Sequence, residues 1–165
     1  MTTSNQSTLI LGIDPGYGRL GYAVLEKINQ KEKLLDYSCI ETSSKESYSE
    51  RMLKIAKEIE KLIKKHKPKI LAIEKLFFTT NQKTALTVSE IKGVILYLAL
   101  KNNLKIIEYT PLEVKVAICG YGKATKEQVQ KMVKLLLHLK NLPKHDDTSD
   151  AIALCLTCSA RKDYL

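Results

Sequence analysis

The sequence predicts an α/β protein built on one five-stranded mixed sheet flanked by helices. Three observations carry that expectation. Short apolar runs alternate with longer segments whose apolar residues recur at helical spacing. The first three runs lie close together in the chain, which favours antiparallel hairpins. The later runs are separated by helical segments, which implies parallel pairing through crossovers.

The run TLILGID ends at Asp14, and PGYG after it reads as a turn. RLGYAVLEK and KLLDYSCIET follow as the second and third strands, joined by the polar INQKE. Across Tyr48–His66, the residues Met52, Leu53, Ile55, Ala56, Ile59, Leu62 and Ile63 fall on one helical face, with lysines opposite. Pro68 stops that helix. KILAIE is the fourth strand and ends at Glu74. A second helix follows KLFFTTNQKTA and runs to about Lys101, and KIIEYT is the fifth strand. Three further helices are predicted over Pro111–Cys119, over Lys126–Leu139, and from near Asp146 to about Ala160. The order is βββαβαβααα. Residues 1–8 are polar and uncharged, unlike a signal peptide or a basic arm, and are expected as a flexible leader to a single domain over 9–165.

Apolar content of 44% and charged content of 27% are ordinary for a globular protein. No apolar run reaches the ~18–20 residues that span a bilayer. The 27 basic residues outnumber the 18 acidic ones, giving a net charge of +9. The excess gathers in two blocks: Glu50–Lys69 has eight basic residues against three acidic, and Lys115–Lys140 has six lysines against one glutamate. Such blocks favour a polyanionic partner, nucleic acid above all. Cysteines stand at 39, 119, 155 and 158. CLTC has zinc-like spacing but lies in an apolar helical run with no second ligand pair at matching spacing, so reduced core thiols and a cytoplasmic protein are expected.

Against this basic background, KHDDTSDAIALC crowds Asp146, Asp147 and Asp150 together. On a helix Asp150 shares a face with Asp147, three residues away, and with Asp146, four away. Either Asp146 or Asp147 also suits an N-cap. Asp14 and Glu74 each close an apolar strand, and parallel neighbours would bring both out at the same sheet edge, where ligands of such sheets bind. Four converging carboxylates need cations. All-oxygen ligation suits Mg²⁺ or Mn²⁺ rather than zinc. Two such ions ~3.5–4 Å apart serve phosphodiester hydrolysis.

The stretches LGIDPGYGRLGYAV, AIEKLFFTTNQKTA, VKVAICGYGKATKEQVQKMV and HDDTSDAIALC occur in that order and together resemble the RuvC family of bacterial Holliday-junction resolvases. The resemblance covers about residues 9–160. It implies a ribonuclease H-like fold, a homodimer, a divalent metal and paired symmetric nicks in four-way DNA junctions. It also implies partnership with the RuvA–RuvB branch-migration machinery. By position it makes Asp14 and Glu74 the first two catalytic acids and metal ligands, and it selects Asp147 and Asp150 as the closing pair. Phe77 matches an aromatic expected to stack on or wedge against junction bases, with Phe78 beside it. Lys115 and Lys126 match DNA-contacting positions. Three other readings stand beside this one: an actin-like or sugar-kinase ATPase, for which GIDPGYGRLGYAV suits a phosphate loop but the chain has no room for a second domain; a non-catalytic junction-binding module; and a related nuclease acting on RNA.

Overall fold

In the computed structural model of the chain, residues 7–76 and 82–161 are described, without the side chains of residues 82–84. The elements are β1 (Thr8–Asp14), β2 (Arg19–Ile28), β3 (Lys31–Glu41), α1 (Tyr48–His66), β4 (Ile70–Glu74), α2 (Gln82–Lys101), β5 (Lys105–Tyr109), α3 (Pro111–Cys119), α4 (Lys126–Leu136) and α5 (Asp146–Ala160). The predicted order is the observed one. The sheet order is β3-β2-β1-β4-β5. β1, β2 and β3 pair antiparallel, while β1–β4 and β4–β5 pair parallel.

Strand residues alternate between two cores. Ile10, Ala23, Leu25, Ile70 and Ala72 pack under α3, α4 and α5. Leu11, Ile13, Val24, Leu71 and Ile73 pack under α1 and α2. Three helices start on side-chain capping boxes, Ser47 with Glu50, Thr110 with Glu113, and Thr125 with Gln128. Each cap is worth about 1 kcal/mol to its helix. α4 ends at Leu136 rather than at the predicted Leu139, because Leu137 closes the helix and His138 turns left-handed, at φ 50°. The apolar run Leu135–Leu137 carries the helical pattern past the true end.

β3 forms one margin of the sheet. It is mostly exposed, carries Lys31, Glu32 and Lys33 at its start, and bulges where Leu35 has no partner between Leu34 and Asp36. Cys155 and Cys158 are buried free thiols, as the apolar run around CLTC predicts. No helix among the described residues is long and apolar enough to cross a membrane.

Candidate active site

β1 and β4 run in register, Ile13 beside Ile73, so Asp14 and Glu74 leave the sheet together at its carboxyl edge. Alternation turns both toward the face covered by α5, the face of Ile10 and Ala72. α5 brings Asp147 and Asp150 over that edge from its first two turns. Two glycines allow so close an approach. A Cβ on Gly21 would overlap the Asp147 carbonyl, and one on Gly12 would overlap the Ala151 carbonyl and stand 2.6 Å from Cys155 Sγ.

The four carboxylates feel one another. Burial pushes the Asp14 carboxyl up to about 9, and the charges of Glu74, Asp150 and Asp147 add to the rise. Near neutrality Asp14 therefore keeps its proton and donates a hydrogen bond to Glu74. Burial also raises Glu74, against the bond from Asp14, and raises Asp150, against its bond to Lys126. Asp147 Oδ2 is shielded from solvent and accepts no hydrogen bond from any described residue. Arg19 Nε, 3.4 Å away, offers it only a charge. A buried carboxylate oxygen without a hydrogen bond is unfavourable until a cation meets it. An all-oxygen set, crowded and under-neutralised, fits a hard divalent cation.

Beside the acids lies a cavity of about 200 Å³ lined by Glu74 and Asp150 together with Lys115 and Lys126. Lys126, the first residue of α4, reaches Asp150 at 3.0 Å and Asp146 at 3.5 Å. Burial alone would lower its ammonium, but the bond to Asp150 and the charge of Asp146 raise it overall. Carboxylates at a sheet edge, with lysines over the adjoining cavity, are suited to holding a metal and a phosphate side by side.

The family model described as "Crossover junction endodeoxyribonuclease RuvC" matches residues 10–158. The chain belongs to the RuvC family. It is 49% identical over 148 residues to the crossover junction endodeoxyribonuclease RuvC of Caldicellulosiruptor saccharolyticus, covering 89% of each chain. The Thermus thermophilus RuvC structure superposes with a TM-score of 0.84 at 32% identity, covering 93% of this chain and 94% of that one. T. thermophilus RuvC in complex with Holliday junction substrate gives a TM-score of 0.83 at 30% identity, with 93% of each covered. The ribonuclease H-like architecture expected from the sequence is thus the RuvC architecture.

In this RuvC-family chain the predicted residues fall into three groups. Asp14, Glu74, Asp147 and Asp150 share one cluster, and Lys115 and Lys126 line the cavity next to it. Phe77 and Phe78 lie outside the described residues. The expectation that Asp146 or Asp147 caps α5 is corrected: His145 holds the cap position, its side chain makes no cap hydrogen bond, and both aspartates lie inside the first turn. They also diverge. The Asp147 side chain is 27% exposed and faces Arg19. Asp146 is 67% exposed, and hydrogen bonding from Gln130 at 3.0 Å, with the Lys126 charge, lowers its carboxyl.

Two basic residues near the acids escaped the sequence reading. Arg19 opens β2 and faces Asp147. Lys92, buried in α2, donates to the Glu74 carbonyl at 2.9 Å and to the Glu108 carboxylate, and so braces the end of β4. Lys92 does interrupt an otherwise apolar helical face, and that was the available signal. Arg19 carried none.

Proposed function

We propose that this chain resolves four-way DNA junctions by paired symmetric nicks, in recombination and repair, as a crossover junction endodeoxyribonuclease of one nuclease domain. The observation that carries the reading is the convergence of Asp14, Glu74, Asp147 and Asp150 beside a lysine-lined cavity, in a chain matched to its family over residues 10–158. These four acids would hold divalent metal, Mg²⁺ in the first instance with Mn²⁺ as substitute, two ions to a site. When bound, the metal supplies Lewis acidity at the phosphodiester and lowers the pKa of the attacking water.

The chain's own side chains prepare that chemistry. Lys115 and Lys126 attract the junction's phosphates into the cavity. Lys126 is half-exposed and bridges Asp146 and Asp150, so an incoming phosphate competes for its ammonium. The half-buried Asp147 and Asp150 are held by a helix whose remaining turns lie in the core, which fixes their aim. Phe77 is proposed to stack on junction bases. A two-fold junction needs two equivalent sites, which a C2 homodimer provides. RuvA–RuvB is the proposed functional partner and the cytoplasm the proposed location.

The test is incubation with a synthetic four-way junction, a linear duplex and a single strand, each with and without Mg²⁺. The expected result is symmetric, Mg²⁺-dependent nicking of the junction alone. Equal cutting of the linear duplex, or no cutting of the junction with Mg²⁺ or Mn²⁺, would sink the reading.

A further inference from the structure

A second group of metal-ligating side chains stands next to the carboxylate cluster and is not part of it. Cys39, Glu41 and His145 offer a sulfur, an oxygen and a nitrogen that all lie within 4.8 Å of one another. The arrangement follows from the sheet. Cys39 and Glu41 are two apart on β3 and share one face. In the β2–β3 pairing Cys39 lies opposite Gly21, and Glu41 lies opposite Arg19. Gly21 is where the α5 backbone rests on the sheet. The bare glycine therefore lets the start of α5 settle beside β3, and His145 arrives next to Cys39 and Glu41. His145 Nε2 stands 3.5 Å from Glu41 Oε1. The imidazole does not cap its helix, so capping does not compete for its nitrogens.

We propose that Cys39, Glu41 and His145 form a second metal site that takes a thiophilic divalent ion of the Zn²⁺ class. The donor chemistry separates it from the acid cluster. Thiolate and imidazole select Zn²⁺ or Co²⁺ and are poor ligands for Mg²⁺. Bond lengths of about 2.0–2.3 Å place tetrahedral ligand atoms roughly 3.3–3.8 Å apart. The Glu41–His145 pair is already at that spacing, and Cys39 Sγ, within 4.8 Å of both, has a short distance to close. Charge balances as well: a thiolate, a carboxylate and a neutral imidazole bring a divalent ion to zero. Burial, with the neighbouring Asp147 and Glu41 charges, pushes the Cys39 thiol up. Binding therefore expels the thiol proton to solvent. Three protein ligands leave the fourth position to water. The ion would tie β3 to the first residue before the helix that carries Asp147 and Asp150.

Co²⁺ is the probe, because its thiolate complexes absorb in the near ultraviolet. Titration of the full chain should give a thiolate-to-cobalt charge-transfer band that saturates at one equivalent and is abolished by Zn²⁺. Cys39→Ser should lose the band. Glu41→Gln, at an exposed carboxylate, should keep the fold and bind about tenfold or more weakly. Asp14→Asn should retain the band at native strength, which separates this site from the proposed catalytic one without any DNA-cleavage readout. No band in the native chain, a band that survives Cys39→Ser, affinity unchanged in Glu41→Gln, or loss of the band in Asp14→Asn would each overturn the proposal.

Discussion

α5 and α2 lie on opposite faces of the same sheet and differ in what they leave uncovered. α5 buries eleven residues, Thr148, Ser149 and every residue from Ala151 to Ser159, and its acids emerge only at the start. α2 commits Ile91, Ile95, Leu98 and Ala99 to the core yet leaves Leu86, Tyr97 and Leu100 at least 60% exposed. The contrast separates two demands. Asp147 and Asp150 are mounted on a helix whose remaining turns are buried. Apolar surface is left on the other face, where a second copy of the chain would find it.

The largest expected effect lies in the first turn of α5. Asp147→Asn should lower Mg²⁺-dependent junction cleavage by orders of magnitude, with a near-native melting curve and junction binding equal or tighter, since one repelling charge is gone. Asp146→Asn should cut at close to the native rate. Cleavage rates, gel shifts and thermal melts of the two variants decide it. An inactive Asp146→Asn beside an active Asp147→Asn would move the fourth ligand by one residue.

Next comes the apolar side. Leu86→Ser combined with Leu100→Ser should weaken self-association by about tenfold or more in sedimentation. Monomer stability should stay within about 0.5 kcal/mol, as for other exposed positions. Unchanged association would put the dimer contact elsewhere and remove the functional half of the contrast.

Gly21→Ala tests how tightly α5 must sit. Its methyl group meets the Asp147 backbone rather than a yielding side chain. Overpacking of this kind costs about 1–3 kcal/mol, and the cleavage rate should fall further than the stability loss explains. Equal rates with a lower melting temperature would mean that the aim of Asp147 is not critical.

The last test is a slope against pH. Folded Asp14 holds its proton up to about 9, against an ordinary value of 3.8. Between those values the folded chain binds a proton that the unfolded chain has lost, so this group makes stability fall as pH rises. In chelator, the native chain should lose stability from about pH 4 to about pH 9 more steeply than Asp14→Asn. Parallel melting profiles would mean that Asp14 is already ionised in the fold.

Much of this was legible in the chain. The first helix reads correctly from Tyr48 to His66 because a seven-residue apolar face and Pro68 agree on its limits, and in the fold a Ser47–Glu50 capping box fixes its start. Asp14 and Glu74 are legible because each ends an apolar strand, and parallel pairing then leaves little freedom in where they go. Other features were not. Helical spacing places Asp146 and Asp147 equally well against Asp150; the resemblance favours Asp147, and the fold adds that Asp147 is the more buried while Asp146 turns out to Gln130 and Lys126. Arg19 meets Asp147, and Cys39 meets His145, across more than a hundred residues of chain. No local period records such contacts. CLTC drew attention for its spacing and proved to be core, while Cys39, without any motif, reached a candidate site.

The exposed margin at β3 has a consequence for crowding. A strand at the end of a sheet offers a row of backbone donors and acceptors on which another chain can add by cross-β stacking. Copies gathered on one DNA molecule meet at high local concentration, where such addition starts aggregates. Lys31, Glu32 and Lys33, and the bulge at Leu35, make that margin charged and irregular. At this margin, copies brought together on DNA would meet charge and irregular backbone rather than a template for strand addition.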